Sequence, residues 1–152
     1  MIRYANFVLT HKNAKAPTKK YKGDAGWDLF VSRDTVVEPG ETVDIHTDIR
    51  VNLPPFTFAR ITGRSSTLRK HNLMVNEGII DNEFTGELFV CVRNMSRTEA
   101  FEVKAGMRLA QIIFHKIEDI RWSEVGPNDF KSTPRGDSGF GSTGLFDLDR
   151  SQ

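Results

Sequence analysis

The sequence predicts an all-β domain, built as a sandwich or a barrel of short strands. Its apolar segments are short and rich in Val, Ile, Phe and Thr, the residues that favour strands. Turn sequences with Pro, Gly and Asn separate these segments, as in other small β domains. Only one segment has a helical pattern. The 152 residues are enough for one domain with a single core.

Nine segments between these turns are predicted to be strands. In chain order they are Arg3–Leu9, Thr35–Glu38, Thr42–Ile45, Asp48–Leu53, Phe56–Thr62, Leu73–Asn76, Glu87–Arg93, Ala100–Val103 and Arg108–His115. The predicted helix is Ser65–His71, with Ser65 or Ser66 as its N-cap. The strand that contains LFVCV, residues 88–92, is apolar at consecutive positions, which indicates burial on both faces. A sandwich core or packing against another subunit would explain that burial.

The overall composition excludes several classes of protein. A net charge of +1 gives no general attraction to nucleic acid, so we expect no nucleic-acid partner. Cys91 is the single cysteine, which rules out an internal disulfide, and its apolar neighbours predict a small buried side chain. The N-terminus lacks a signal-peptide pattern, and no apolar run approaches the ~18 residues that cross a bilayer. We therefore expect a cytoplasmic protein that is neither secreted nor bound to membranes.

Two stretches in the first half of the chain carry residues suited to phosphate and metal chemistry. In AGWDLF, residues 25–30, Asp28 is either a backbone-capping carboxylate or an acid near a hydrated cation. In GRSSTLRKHN, residues 63–72, the Arg64 guanidinium suits phosphate, and Ser65 and Ser66 supply hydroxyls where the helix begins. A plain capped helix is the alternative for this second stretch.

Three further stretches follow. NEGIIDNEFTGELFV, residues 76–90, predicts a β-hairpin whose tip carries Asp81, either a turn residue or a general base. In RLAQIIF, Gln111 interrupts an apolar strand, and its amide needs a hydrogen-bond partner, for which a backbone group would suffice. RGDSGFGSTG, residues 135–144, is either a disordered tail or a glycine-rich segment that approaches a ligand closely. Together the five stretches offer what a nucleotide polyphosphate site without a P-loop requires.

In order and spacing, these stretches resemble the five motifs of the trimeric dUTP pyrophosphatase (dUTPase) family. AGWDLF resembles AGxDL, GRSST resembles (P/G)RS(S/G), GIIDNEFTGEL resembles G(V/I)IDxDYxGE, RLAQIIF resembles R(I/L)AQ(L/I), and RGDSGFGSTG resembles RGxGGFGSTG. The resemblance spans residues 24–144. It implies a dUTPase-like β jelly-roll or barrel over residues 1–134, with one short helix, and a glycine-rich C-terminal arm over 135–152. It also implies a homotrimer whose active sites are shared between subunits.

The resemblance implies hydrolysis of dUTP to dUMP and pyrophosphate, which keeps uracil out of DNA and supplies dUMP for thymidylate synthesis. Asp81 would activate the water that attacks the α-phosphorus, and Asp28 would act through water near a Mg²⁺ on the triphosphate. Further contacts implied for the phosphates, the uracil, the deoxyribose and the closing arm come from Arg64, Ser65, Ser66, Asn76, Gly78, Ile79, Ile80, Phe84, Gln111, Arg135, Phe140, Gly141, Ser142 and Thr143. A viral member would act in the host-cell cytoplasm or nucleus.

The chain departs from the family pattern at a few positions. Phe84 stands where the family usually has Tyr, Glu83 replaces an Asp, and Ser138 replaces a Gly. The Asn76-Glu77 pair is also unusual. Phenylalanine keeps the ring face that packs on deoxyribose, so we expect discrimination against ribose to survive.

Three other interpretations compete with this one. The run RSSTLR, residues 64–69, also resembles the RSSxxR of dCTP deaminases, but that family needs a glutamate where this chain has Cys91. The tripeptide Arg135-Gly136-Asp137 spells an adhesion motif, yet it falls inside the better explained fifth motif. A dUTPase-fold regulator without activity finds no support, because Asp81, Gln111 and Arg135 are all present.

Overall fold

The computed structural model describes residues 2–137, which contain ten strands and one short helix. In chain order these are β1 (Asn6–Leu9), β2 (Trp27–Phe30), β3 (Thr35–Val37), β4 (Thr42–Asn52), β5 (Thr57–Gly63), α1 (Ser65–His71), β6 (Leu73–Val75), β7 (Gly78–Ile80), β8 (Glu87–Asn94), β9 (Phe101–Val103) and β10 (Arg108–Lys116). All of them belong to the first of two compact units, which ends at Glu118.

Two four-stranded antiparallel sheets form this first unit. One sheet has the strand order β1-β4-β8-β6 and the other β2-β10-β5-β7, while β3 and β9 pair separately. From β4 to β8 the chain alternates between the two sheets, so their inner faces share one apolar core. This arrangement confirms the predicted all-β, jelly-roll-like fold with one short helix. Among the described residues, no helix has the length and hydropathy that a membrane span requires.

The second unit begins at Asp119, and its described part, residues 119–137, contains turns but neither strand nor helix. Arg135 and Gly136 lie in one of these turns, where the Gly136 N–H donates to the Thr133 carbonyl at 2.9 Å. The division into a domain over 1–134 and an arm over 135–152 stays a prediction.

The apolar strand β8 buries one face only within the chain. Leu88, Val90 and Val92 point into the core and are fully buried, whereas Phe89 is 39% exposed and Cys91 is partly exposed. Burial on both faces is therefore wrong for the single chain. Cys91 is a free thiol whose pKa is raised, first by burial and then by Asp44, which makes it a weak nucleophile.

Strand β4 runs through the polar residues that the sequence suggested as a break between two strands. Its pairing with β8 shifts between His46 and Arg50, and Asp48 has a positive φ of 53°. Glu87 stabilises this irregularity, because its Oε1 accepts the Asp48 N–H at 2.9 Å and lies 3.0 Å from His46 Nδ1. The ladder can therefore continue past the distortion as a bulge.

Two local predictions are wrong. The segment 76–90 is not a β-hairpin, because β7 pairs with β5 in one sheet while β8 pairs with β4 and β6 in the other. The segment instead crosses between the sheets. The N-cap of α1 is Arg64, in an extended conformation and without a side-chain cap, so neither Ser65 nor Ser66 has that role.

Candidate active site

Strand pairing in the second sheet brings the first, second and fourth motifs together. Gln111 on β10 lies opposite Asp28 on one side and Thr62 on the other. Two residues after Thr62 comes Arg64, whose backbone N–H donates to the Leu109 carbonyl of β10 at 3.4 Å. Residues distant in sequence thus meet at the end of three adjacent strands.

The Asp28 carboxylate holds two arginines. Its Oδ1 lies 2.8 Å from Arg64 Nε, and its Oδ2 lies 3.1 Å from Arg108 Nη1. Arg64 Nη1 in turn donates to the main-chain carbonyl of Arg108 at 3.1 Å, which closes a ring of contacts. The Asp28 side chain is 18% exposed and its interpretation as a backbone cap is wrong. The sequence motifs gave Arg108 no role, although it is the arginine of the fourth motif, RLAQIIF.

The Gln111 amide has the backbone partner that the sequence predicted. Its Nε2 donates to the Gly63 carbonyl at 3.1 Å. Gly26 lies against the same amide, and a Cβ atom at that position would overlap Gln111 Oε1. An amide nitrogen has two donors, so Gln111 keeps one N–H for a ligand while packing fixes its orientation.

The start of α1 is fastened to β10. Buried Thr67 donates through Oγ1 to the Leu109 carbonyl at 2.7 Å, next to the Arg64 contact with the same carbonyl. This holds exposed Ser65 and partly buried Ser66 at the first turn of the helix, beside Arg64. Consecutive residues therefore carry the Arg64 guanidinium, with its unused donors, and the two serine hydroxyls.

Asp81 follows the edge strand β7 and is exposed. Its carbonyl accepts the Phe84 N–H at 3.1 Å, forming a tight turn. Asn82 anchors this turn by donating through Nδ2 to the carbonyls of Pro54 and Thr57, at 2.7 and 3.0 Å. The Asp81 carboxylate is thus presented to solvent from a fixed loop.

The other predicted residues of this segment surround the free edge of β7. Asn76 precedes the strand and donates its N–H to the Cys91 carbonyl at 2.9 Å. Gly78 to Ile80 pair with β5 on one side only, because β7 is the last strand of its sheet. Phe84 lies over Gly86, where an added Cβ would come within 2.5 Å of the ring atom Cζ. Unpaired main-chain groups and an aromatic ring therefore adjoin Asp81.

Asp81 and the arginine cluster are separate within one chain. Ile80 lies opposite Ala59, three residue rows along the sheet from the row of Gln111, and β7 is two strands from β10. Standard strand spacings put Ile80 about 14 Å from Gln111, and Asp28 lies on the far side of Gln111 from β7.

The fifth motif lies mostly beyond the described residues. Arg135 is exposed and belongs to the second unit. Phe140, Gly141, Ser142 and Thr143 lie outside the part of the chain that the structure describes.

A jelly-roll with this arrangement of arginines, amide and acids is of the dUTPase class. The chain belongs to the dUTPase family, whose model matches residues 12–144. A Monkeypox virus relative named deoxyuridine 5'-triphosphate nucleotidohydrolase is 40% identical over 91% of this chain and 89% of its own length. The corresponding Vaccinia virus (strain Copenhagen) protein is 39% identical, over 91% and 92%.

Solved dUTPase structures have the same fold. A Staphylococcus bacteriophage 80alpha dUTPase variant, solved with dUpNHpp, superposes with a TM-score of 0.87 at 26% identity, covering 95% of this chain and all of the phage chain. A dUTPase variant from phage phi11 of S. aureus, described as coordinating a structural Mg(II) ion, has a TM-score of 0.79 at 24% identity, covering 84% and 100%.

Proposed function

We propose that this protein hydrolyses dUTP to dUMP and pyrophosphate. The observation that carries the proposal is the cluster of Arg64, Gln111 and two serine hydroxyls, joined by strand pairing and ready to bind phosphate oxygens. Family membership and the activity named for the poxvirus relatives support dUTP as the substrate.

Asp81 is the proposed general base. Its carboxylate is exposed and can accept a proton from an attacking water. The water oxygen attacks the α-phosphorus and forms a new P–O bond, while the bond from the α-phosphorus to the bridging oxygen breaks. Pyrophosphate leaves with that oxygen, and in-line geometry requires the phosphates to be held on the side opposite the attacking water.

Mg²⁺ fits this site through Asp28 only indirectly. Asp28 Oδ2 accepts an N–H from Arg108 Nη1 at 3.1 Å, Oδ1 is ion-paired with Arg64 Nε at 2.8 Å, and both oxygens keep lone pairs for a further contact. Two adjacent cations disfavour direct coordination of a third, so the remaining lone pairs suit a water ligand of the metal. When bound to the triphosphate, Mg²⁺ would neutralise part of its charge.

A homotrimer with shared active sites explains the separation of Asp81 from the phosphate-binding cluster. The backbone of Ile80, next to Asp81, lies about 14 Å from that of Gln111, which supports a site in which a second copy supplies one of the two groups. On the outer face of β8, Phe89 at 39% exposure and the partly exposed Cys91 lie between Glu87 and Arg93, and this face could contribute to such packing.

The free edge of β7 is the proposed uracil reader. Main-chain N–H and C=O groups of Gly78 to Ile80 can match the donors and acceptors of uracil and reject cytosine, without depending on the unusual Asn76-Glu77 side chains. Phe84 would pack on deoxyribose beside them. Glu77 is already engaged, since its Oε1 accepts the Thr62 hydroxyl at 2.8 Å.

The remaining parts of the proposal rest on the motifs. Arg135, Phe140, Gly141, Ser142 and Thr143 would close over the triphosphate and the base, which would exclude water other than the nucleophile. Removal of dUTP would keep uracil out of DNA and supply dUMP for thymidylate synthesis, in the cytoplasm or, for a viral protein, in the host cytoplasm or nucleus.

Pyrophosphate release with Mg²⁺ tests the proposal. We expect rapid release from dUTP and little from dCTP, dTTP or UTP, with no ammonia from dCTP. Asp81→Asn should lower kcat for dUTP by at least about a thousandfold, because the amide cannot accept the proton. The variant should still bind dUpNHpp in calorimetry. Ammonia release from dCTP would instead assign the protein to the deaminases, and no turnover of any nucleotide would contradict the proposal.

A further inference from the structure

We infer that Arg108 is a positioning residue that orients Arg64 and keeps the phosphate-binding cluster positively charged. The inference rests on the proposed function and extends its site by one residue. Arg108 contacts Arg64 in two ways, through the shared Asp28 carboxylate and through its own main-chain carbonyl.

The ring of contacts holds the Arg64 guanidinium at two of its three nitrogens. Its Nε is held by Asp28 and one N–H of Nη1 by the Arg108 carbonyl, at 2.8 and 3.1 Å. Three of its five donors stay available, one on Nη1 and both on Nη2. The Nη2 donors have no partner among the described residues, so they can serve a phosphate ligand while the rest of the guanidinium is held in place.

Arg108 also decides the charge of the cluster. Arg64 and Asp28 alone would form a neutral pair, and a neutral pair attracts a triphosphate weakly. With Arg108 the three side chains carry a net charge of +1. The Arg108 guanidinium has a second support, since it lies 6.0 Å from the Phe30 ring centroid. Arg108 therefore satisfies Asp28, and the charge of Arg64 stays available to the substrate.

A second arginine–aspartate pair in the chain is a matched structural control. Arg33 binds Asp48 at 2.8 and 3.0 Å, and its side chain is 46% exposed, against 45% for Arg108. Asp48 is buried, and its carboxylate also accepts a hydrogen bond from the Ser32 hydroxyl, at 2.6 Å. Removing Arg33 therefore tests the loss of an ion pair without the loss of phosphate-binding charge.

The experiment compares Arg108→Met, Arg108→Lys and Arg33→Met with the natural protein. We expect Arg108→Met to raise KM for dUTP about tenfold and to weaken dUpNHpp binding in calorimetry equally, with kcat within about twofold. Inhibition by inorganic pyrophosphate should weaken in parallel. Arg108→Lys keeps the charge and should recover most of the affinity. Arg33→Met should lower thermal stability and leave KM unchanged.

Equal KM for Arg108→Met and the natural protein would overturn the inference, as would an equal rise of KM in Arg33→Met. A tenfold rise in Arg108→Lys would contradict the charge argument. Arg108→Gln removes the same charge and replaces the methionine variant if that variant does not fold. If the natural protein binds dUpNHpp but does not hydrolyse dUTP, the proposed function fails while the binding comparison still decides the role of Arg108.

Discussion

At residue 26 the absence of a side chain determines where another side chain lies. Gly26 is buried against the Gln111 amide, which donates to the Gly63 carbonyl and keeps one N–H for a ligand. Gly26 of the first motif and Gln111 of the fourth are therefore coupled, because the Gln111 amide occupies the space that a side chain at residue 26 would need. Glycine is required there by close approach and not by backbone conformation.

Gly26→Ala should lower kcat/KM for dUTP at least about tenfold, because its methyl group would displace the Gln111 amide from its hydrogen bond. Gly23→Ala is the matched control, since a Cβ at Gly23 meets nothing within 4 Å. Steady-state kinetics on both variants measure the effect. Equal activities of the two variants would show that the amide position does not matter.

Asp48 should make the protein sensitive to acid. The hydrogen bond from Arg33 first, and that from Ser32, hold the pKa of Asp48 at about 2, below the ~3.9 of an unfolded chain. A lowered folded pKa stabilises the protein above pH ~4, and this stabilisation is lost as the pH falls through about 2. Urea unfolding at pH 7, 4 and 2.5 should show the loss in the natural protein and a smaller one in Arg33→Met. A steeper loss in the variant would contradict this cause.

At the scale of elements, periodicity located most of the strands but not their partners, and β2 and β7 were not among the nine predicted strands. The predicted helix and the strands at 35–37, 57–62, 73–75 and 108–115 are confirmed to within a residue or two. The break expected after Ile45 is absent, because Glu87, 39 residues beyond Asp48, satisfies the backbone N–H at the distortion. Such long-range compensation leaves no local sequence pattern.

The candidate site was predictable to a similar extent. Motif order identified Arg64 and Gln111, and the structure brings both to the strand ends beside Asp28. The two arginines on Asp28 could not be read from the sequence, since Arg108 is 80 residues away and the contact depends on pairing of β10 with β2. Likewise, residues 76–90 cross between the sheets because β7 and β8 pair with strands of different sheets, which the local sequence does not reveal.

Helix α1 should depend on the residue that ends it. Asn72 has a φ of 54°, and its N–H donates to the Leu68 carbonyl. This conformation costs most residues about 1 kcal/mol, and asparagine and glycine tolerate it best. Asn72→Ala should lower the free energy of unfolding in urea by about 1 kcal/mol, whereas Asn72→Gly should not lower it. Equal losses in both variants would point to the side chain instead.

At the scale of the whole molecule, the positions of Asp81 and Arg64 predict complementation between defective subunits. Arg64→Ala and Asp81→Asn should each be inactive alone. Mixed by unfolding and refolding together in equal amounts, they should recover about one quarter of the natural activity, since each site of the proposed trimer would draw the two residues from different chains. Pyrophosphate release measures the recovery. A mixture as inactive as its components would mean that each chain holds a complete site.

With active sites shared between subunits as proposed, the separation of Ile80 from the row of Gln111 would also make the rate respond to dilution differently from that of a single-chain catalyst. A catalyst complete in one chain turns over in proportion to its concentration. An enzyme whose active site needs residues from neighbouring subunits loses activity more steeply than its concentration falls, once the subunits dissociate. For a trimer, the rate then approaches proportionality to the third power of the total protein concentration. At concentrations where the subunits separate, activity would depend steeply on the amount of protein present.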